Sequence, residues 1–201
     1  MQDSKRMEKL YDAVIDHTLL TTKELNEYGF NSYNLNNLLE VKFLERVKRG
    51  VYRLKDTEGM LYYGKKLIAQ EQYAKSEECF EKILQLNPTN SSAAFQIFLR
   101  SIKSRNYDRA LQMYDIMELS GKTAYEQDNN YWLYLLSKII KLEGKYKEKV
   151  EKLNIKDIMV PESDKRYPNK KEENEIRLLA FKGMFSQAFK QLNNIKEPKT
   201  V

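Results

Sequence analysis

Asn34, Asn36 and Asn37, followed closely by the cations Lys42, Arg46, Lys48, Arg49 and Arg53, are the residues whose types and spacing point to chemistry in this chain. An asparagine amide pairs one donor with one acceptor, matching the adenine edge exposed in the major groove of a duplex. Lysine and arginine neutralise phosphate. Between Val41 and Lys55 six basic residues face one acid, Glu45, a local excess of five positive charges. Residues 1–55 as a whole hold ten basic against eight acidic residues, because Asp3, Glu8, Asp12 and Asp16 come first, so the positive charge is local. The net charge of +6 agrees with an anionic partner without demanding one.

Those amides need a helix to present them. Asn31 and Ser32 are good caps, and Tyr33, Leu35, Leu38 and Leu39 recur at helical spacing, which puts Asn34, Asn36 and Asn37 on the outer face. A shorter helix precedes it, capped by Thr21 and Thr22, with Glu24 placed to close a capping box on Thr21 and Gly29 supplying the turn. After it, Phe43–Val47 and Val51–Leu54 read as two strands, with Lys48, Arg49 and Gly50 at the tip. Two helices about a Gly turn followed by a basic hairpin predict a winged helix-turn-helix. Ser32, Tyr33, Asn34, Asn36 and Asn37 would enter the major groove, and Lys42, Arg46, Lys48, Arg49 and Arg53 would grip phosphate. The competing reading is an interaction scaffold, in which the same module docks a protein.

Thr21 to Tyr52 resembles the N-terminal domain of AbiEi-type antitoxins and related transcriptional regulators. The likeness rests on the Thr-Thr-Lys-Glu-Leu helix start and the closing Arg46-Val47-Lys48-Arg49-Gly50-Val51-Tyr52. It implies a recognition helix at Ser32–Glu40, a wing tip at Lys48–Gly50 and repression of the chain's own operon. Where that family often has a glycine before the first wing strand, Val41 and Lys42 stand here, which predicts a looser entry to the wing.

The remaining sequence repeats. Tyr73, Ser76, Phe80 and Ile83 recur as Tyr107, Ala110, Tyr114 and Met117 at a spacing of 34 residues, the tetratricopeptide period. Gly64 takes the small position of the preceding helix and Pro88 closes the unit, so residues 57–90 resemble one tetratricopeptide hairpin and residues 91–121 a second, with Phe98 in place of the small residue. Two weaker hairpins follow. Tyr131 to Glu143 and a helix from Tyr146 through Leu153 make one; Lys171 to Phe181 and a helix from Phe185 make the other, with extra residues assigned to loops at 121–130 and 160–170. Stacked hairpins form a concave face for a protein or peptide, which nominates Tyr62, Lys65, Lys66, Gln96, Arg100, Lys103, Tyr134 and Lys138, although tyrosines at such spacing also serve as core.

The expected fold is therefore mostly α, with a winged helix at residues 1–55 and a tetratricopeptide-like helical solenoid at 56–201. The expected function is that of a bacterial, cytoplasmic regulator whose partners are double-stranded DNA and a protein or peptide; a homodimer is an open assembly. No apolar run approaches membrane-spanning length, and the first residues lack a signal-peptide core. One cysteine and one histidine, Cys79 and His17, point to no metal, cofactor or catalytic cluster, and no phosphate loop or hydrolase elbow is present, so no enzyme is expected. His17 reads as a helix cap, Trp132 as core and Cys79 as a thiol quietened by Glu77, Glu78 and Glu81.

Overall fold

Helix α1 runs from Gln2 to Asp16 in the computed structural model, which describes residues 2–55, 57–120, 126–161 and 168–195. A two-residue strand β1 (Leu20–Thr21) leads into α2 (Thr22–Glu27), and here the capping box forms as its residues predict. The Thr21 hydroxyl accepts from the Glu24 amide, and the Glu24 carboxylate accepts from the Thr21 amide at 2.6 Å. That hydrogen bonding holds the Glu24 carboxyl below its ordinary range. Gly29 adopts φ 89° and closes the helix while Phe30 N–H reaches back to the Leu25 carbonyl at 2.9 Å.

Helix α3 then spans Ser32–Glu40, followed by β2 (Leu44–Lys48) and β3 (Val51–Leu54). The sheet is antiparallel, in the order β1-β3-β2, with Leu20 opposite Tyr52 and Lys48 opposite Val51. Arg49 and Gly50 are the two-residue loop, Gly50 at φ 75°, and a bulge between Arg46 and Lys48 turns Val47 outward. The turn into β2 is as tight as a glycine would make it. Lys42 itself takes φ 58°, and Phe43 N–H bonds the Leu38 carbonyl at 2.8 Å, so the predicted loosening does not occur. An L-residue in that conformation carries about 1–2 kcal/mol of strain.

Four further helices, α4 (Glu58–Ala69), α5 (Tyr73–Leu86), α6 (Ser91–Lys103) and α7 (Tyr107–Ser120), pack as two hairpins. The close approach in the first is at Gly64, where a Cβ would lie 2.5 Å from the buried Phe80 ring. The sequence period reappears in the backbone. Glu71 and Arg105, each two residues before the aromatic that opens the next helix, have φ 61° and 59°, and Gln72 N–H and Asn106 N–H reach back to Leu67 and Ser101. Ser76 and Ala110 are buried at the predicted small positions, with Phe80 and Tyr114 buried one turn on.

Two compact units result, Met1–Ser120 and Gly121–Val201, rather than a division at residue 55. Helix α1 lies on α4 and α5 and joins the two parts into one core. Tyr11 stacks on Tyr63 at 5.6 Å, Tyr63 Oη donates to Asp12 at 2.5 Å, and Lys66 and Lys75 pair with Glu8 and Asp12. A buried cluster runs from Leu10 and Val14 through Leu54 to Met60, Leu67 and Ile97.

In the second unit α8 (Glu126–Ser137), α9 (Gly144–Lys152), a 3-10 turn (Ile155–Asp157), α10 (Lys170–Phe181) and α11 (Phe185–Leu192) follow. The helix expected at 131–143 starts earlier and ends at Ser137, where Lys138 and Ile139 switch to tighter bonds three residues back. Residues 126–130, expected in a loop, are helical; 121–125 and 162–167 lie outside the described residues. Gly144 and Gly183 occupy the same left-handed position two residues before Tyr146 and Phe185. The later small positions differ: Ala188 is buried against Ile176 and Ala180, but α9 has the half-buried Lys149, whose ammonium burial pulls below its ordinary range. Among the described residues no helix is long and apolar enough to cross a membrane.

Candidate nucleic-acid interface

Leu35 is buried beneath α3, Leu38 and Leu39 are half-buried, and the opposite side carries Tyr33, Asn36, Asn37 and Glu40, all exposed. These four recur at i, i+3, i+4 and i+7, one narrow stripe along the helix. Tyr33 is 72% exposed. Ser32 is exposed at the first turn.

Asn34 is not part of that stripe. Its Oδ1 accepts from the Asn31 amide at 3.3 Å while the Asn31 side chain accepts from the Asn34 amide at 2.9 Å, an asparagine version of the capping box. Arg6 of α1 donates to the same Oδ1 at 3.4 Å and lies over the Phe30 ring. The same chemistry that suits adenine suits a helix terminus, and at this position the helix terminus wins. Arg6 was not anticipated, since an arginine on an amphipathic first helix gives no sign of its target.

On the hairpin, Arg53 is also spoken for. It stands opposite Glu45 across the β2–β3 register and donates to that carboxylate through Nε at 2.5 Å, with Lys55 at 3.7 Å on the other oxygen. The Arg53 guanidinium holds the Glu45 carboxyl below its ordinary range, with the Lys55 charge adding to the effect. Arg46 lies over the Tyr52 ring at 5.7 Å and is exposed. Lys42, Lys48 and Arg49 are exposed, and with Arg46 they have no carboxylate partner among the described residues. Of the five cations nominated on the hairpin and its approach, four are therefore available to an anion.

The nominated partner-binding residues separate in the same way. Gln96, Arg100 and Lys103 line a cleft of about 440 Å³ whose other walls are Ile68, Tyr73 and Phe80 of α4 and α5. Arg100 is ion-paired to Glu77, which Arg109 also holds, and lies over Tyr73. Tyr62 is 75% exposed and Lys65 exposed, whereas Lys66 is tied to Glu8 at 2.6 Å. Tyr134 belongs to the core of the second unit rather than to a surface, its Oη donating to the Ala180 carbonyl at 2.9 Å, with Lys138 lying across its ring.

Cys79 is fully buried and donates to the Met60 carbonyl at 3.3 Å. Burial is the main cause that pushes its thiol up to about 12, and the nearby acid is Asp12 rather than the glutamates of its own helix, so the thiol stays protonated at neutral pH. His17 N–H continues the α1 ladder to Ala13, and the ring is exposed. No group of three His, Cys, Asp or Glu side chains among the described residues is placed to hold a metal.

No protein-family model, curated protein or solved structure matches the chain.

Proposed function

We propose that this chain is a cytoplasmic DNA-binding regulator, with α3 as the helix that enters the major groove and the β2–β3 hairpin as a wing on the phosphate backbone. The order α1-β1-α2-α3-β2-β3 supports the winged-helix reading. One observation carries the DNA reading: two exposed amides on α3, Asn36 and Asn37, in a chain segment that also carries four cations with no carboxylate partner among the described residues on the hairpin and its approach. Amides read base edges and cations supply affinity, and among the described residues no side-chain hydrogen bond takes up Asn36 or Asn37 and no carboxylate takes up these four cations. The left-handed residues repeated 34 apart support a tetratricopeptide-like array, whose cleft between α5 and α6 would hold a protein or peptide. With α1 packed on α4 and α5, an occupant of that cleft would act on the same core that sets α3 in place.

A second reading has its own support. Tyr33 on α3, Val41 just after it and Val47 on β2 are exposed apolar side chains, which suits docking of a protein. Salt decides between the two. Four phosphate contacts give a slope of about −4 for log affinity against log salt. A fluorescence-anisotropy titration of a labelled duplex measures it, and a chain that binds no duplex at low salt is a scaffold.

A further inference from the structure

The bases this interface reads follow from what α3 does and does not present, taking the DNA-binding reading as the premise. Guanine is most often recognised by arginine or lysine reaching its O6 and N7 acceptors. Ser32–Glu40 contains neither residue. Arg6, which reaches the start of α3 from α1, is engaged with Asn34 and with the Phe30 ring. Asn36 and Asn37, in contrast, are exposed, and no side-chain hydrogen bond within the chain engages either amide among the described residues. Each can donate to adenine N7 and accept from its N6 amino group.

The neighbours on the stripe point the same way. Tyr33 offers an aromatic face for the methyl group of thymine, the partner base of adenine. Glu40, the one charge on the stripe, stands at the C-terminal end of α3, whereas the N-terminal residues of such a helix reach the base edges. At the other contact, Arg49 sits in the two-residue loop at the apex of the hairpin, exposed and with no carboxylate partner among the described residues. Narrow minor grooves of A·T tracts draw an arginine held in this manner. Two separate parts of the surface thus favour the same base pair.

We propose that the chain recognises A·T base pairs, with Asn36 and Asn37 reading adenine through the major groove and Arg49 favouring the narrow minor groove beside it. The experiment is selection of duplexes from a randomised library by the full chain, followed by measurement of the selected duplex with its adenines replaced by 7-deazaadenine. That base still pairs with thymine but lacks the N7 acceptor. The selected site should be A·T-rich at its centre, and the replacement should weaken binding about five- to a hundredfold. The Asn36→Ala/Asn37→Ala variant should bind both forms alike. A G·C-centred site, or a selected site indifferent to 7-deazaadenine, overturns the adenine assignment and leaves DNA binding standing. Failure to enrich any duplex removes DNA binding as well.

Discussion

Replacing Lys48 and Arg49 together by alanine should weaken binding to every duplex, by on the order of fiftyfold at 0.1 M salt, with a larger loss on A·T-rich duplexes, where Arg49 favours the narrow minor groove. The salt dependence should flatten by about two in the logarithmic slope. Both side chains are exposed at the end of the hairpin without a carboxylate partner among the described residues, so their charge is available to phosphate. Arg53→Ala is the informative control. That arginine is bound to Glu45, and its removal should change affinity far less than either tip residue despite the identical change in net charge. Equal losses from all three positions would mean that bulk charge, not the hairpin tip, meets the DNA. Lys48 at the end of β2 and Arg49 in the loop are both exposed, so stability should move by no more than about 0.5 kcal/mol for the tip pair.

The largest effect on stability is expected in the second unit. Arg177 is 5% exposed, pairs with Asp128 at 2.7 Å, donates to the Ile158 carbonyl at 3.0 Å and lies 4.4 Å over the Tyr131 ring. It therefore fastens α10 to α8 and to the turn after α9. Arg177→Ala takes the guanidinium away from the largely buried Asp128 carboxylate and should cost about 3–5 kcal/mol. The paired change Arg177→Met/Asp128→Leu should recover much of the loss, because it removes both buried charges. Trp132, the one tryptophan in the chain, lies on α8 and reports this unit directly in denaturant unfolding. An unchanged midpoint for Arg177→Ala would contradict the account.

Local signals were the legible ones. Thr21 and Glu24 announce their capping box, Ser32–Glu40 is the helix that its leucines and caps predict, and the hairpin pairs with Arg49 and Gly50 in the loop. The 34-residue period was readable from Tyr73, Ser76 and Phe80, and it also governs where the backbone turns left-handed, at Glu71 and Arg105. What stayed hidden depends on partners distant in sequence or on chemistry that one residue type shares between roles. Asn34 carries the same amide as Asn36, and only its place three residues after the cap commits it to the helix terminus. Arg53 looked like one more cation until the strand register set Glu45 opposite it. Tyr134 shares its spacing with an exposed stripe, yet its hydroxyl ends on the Ala180 carbonyl 46 residues on. The contact of α1 with α4 and α5, which merges the two expected domains into one core, is a matter of which faces meet, and helical periodicity alone does not say that.

Hydrogen exchange with and without a duplex tests the central claim most directly, because it asks which backbone segments DNA covers. Protection on adding duplex at low salt should concentrate in Ser32–Glu40 and in residues 46–51, with α4 to α7 unchanged. Protection confined to the helical hairpins, with α3 and the β2–β3 tip exchanging as in the free chain, would contradict it.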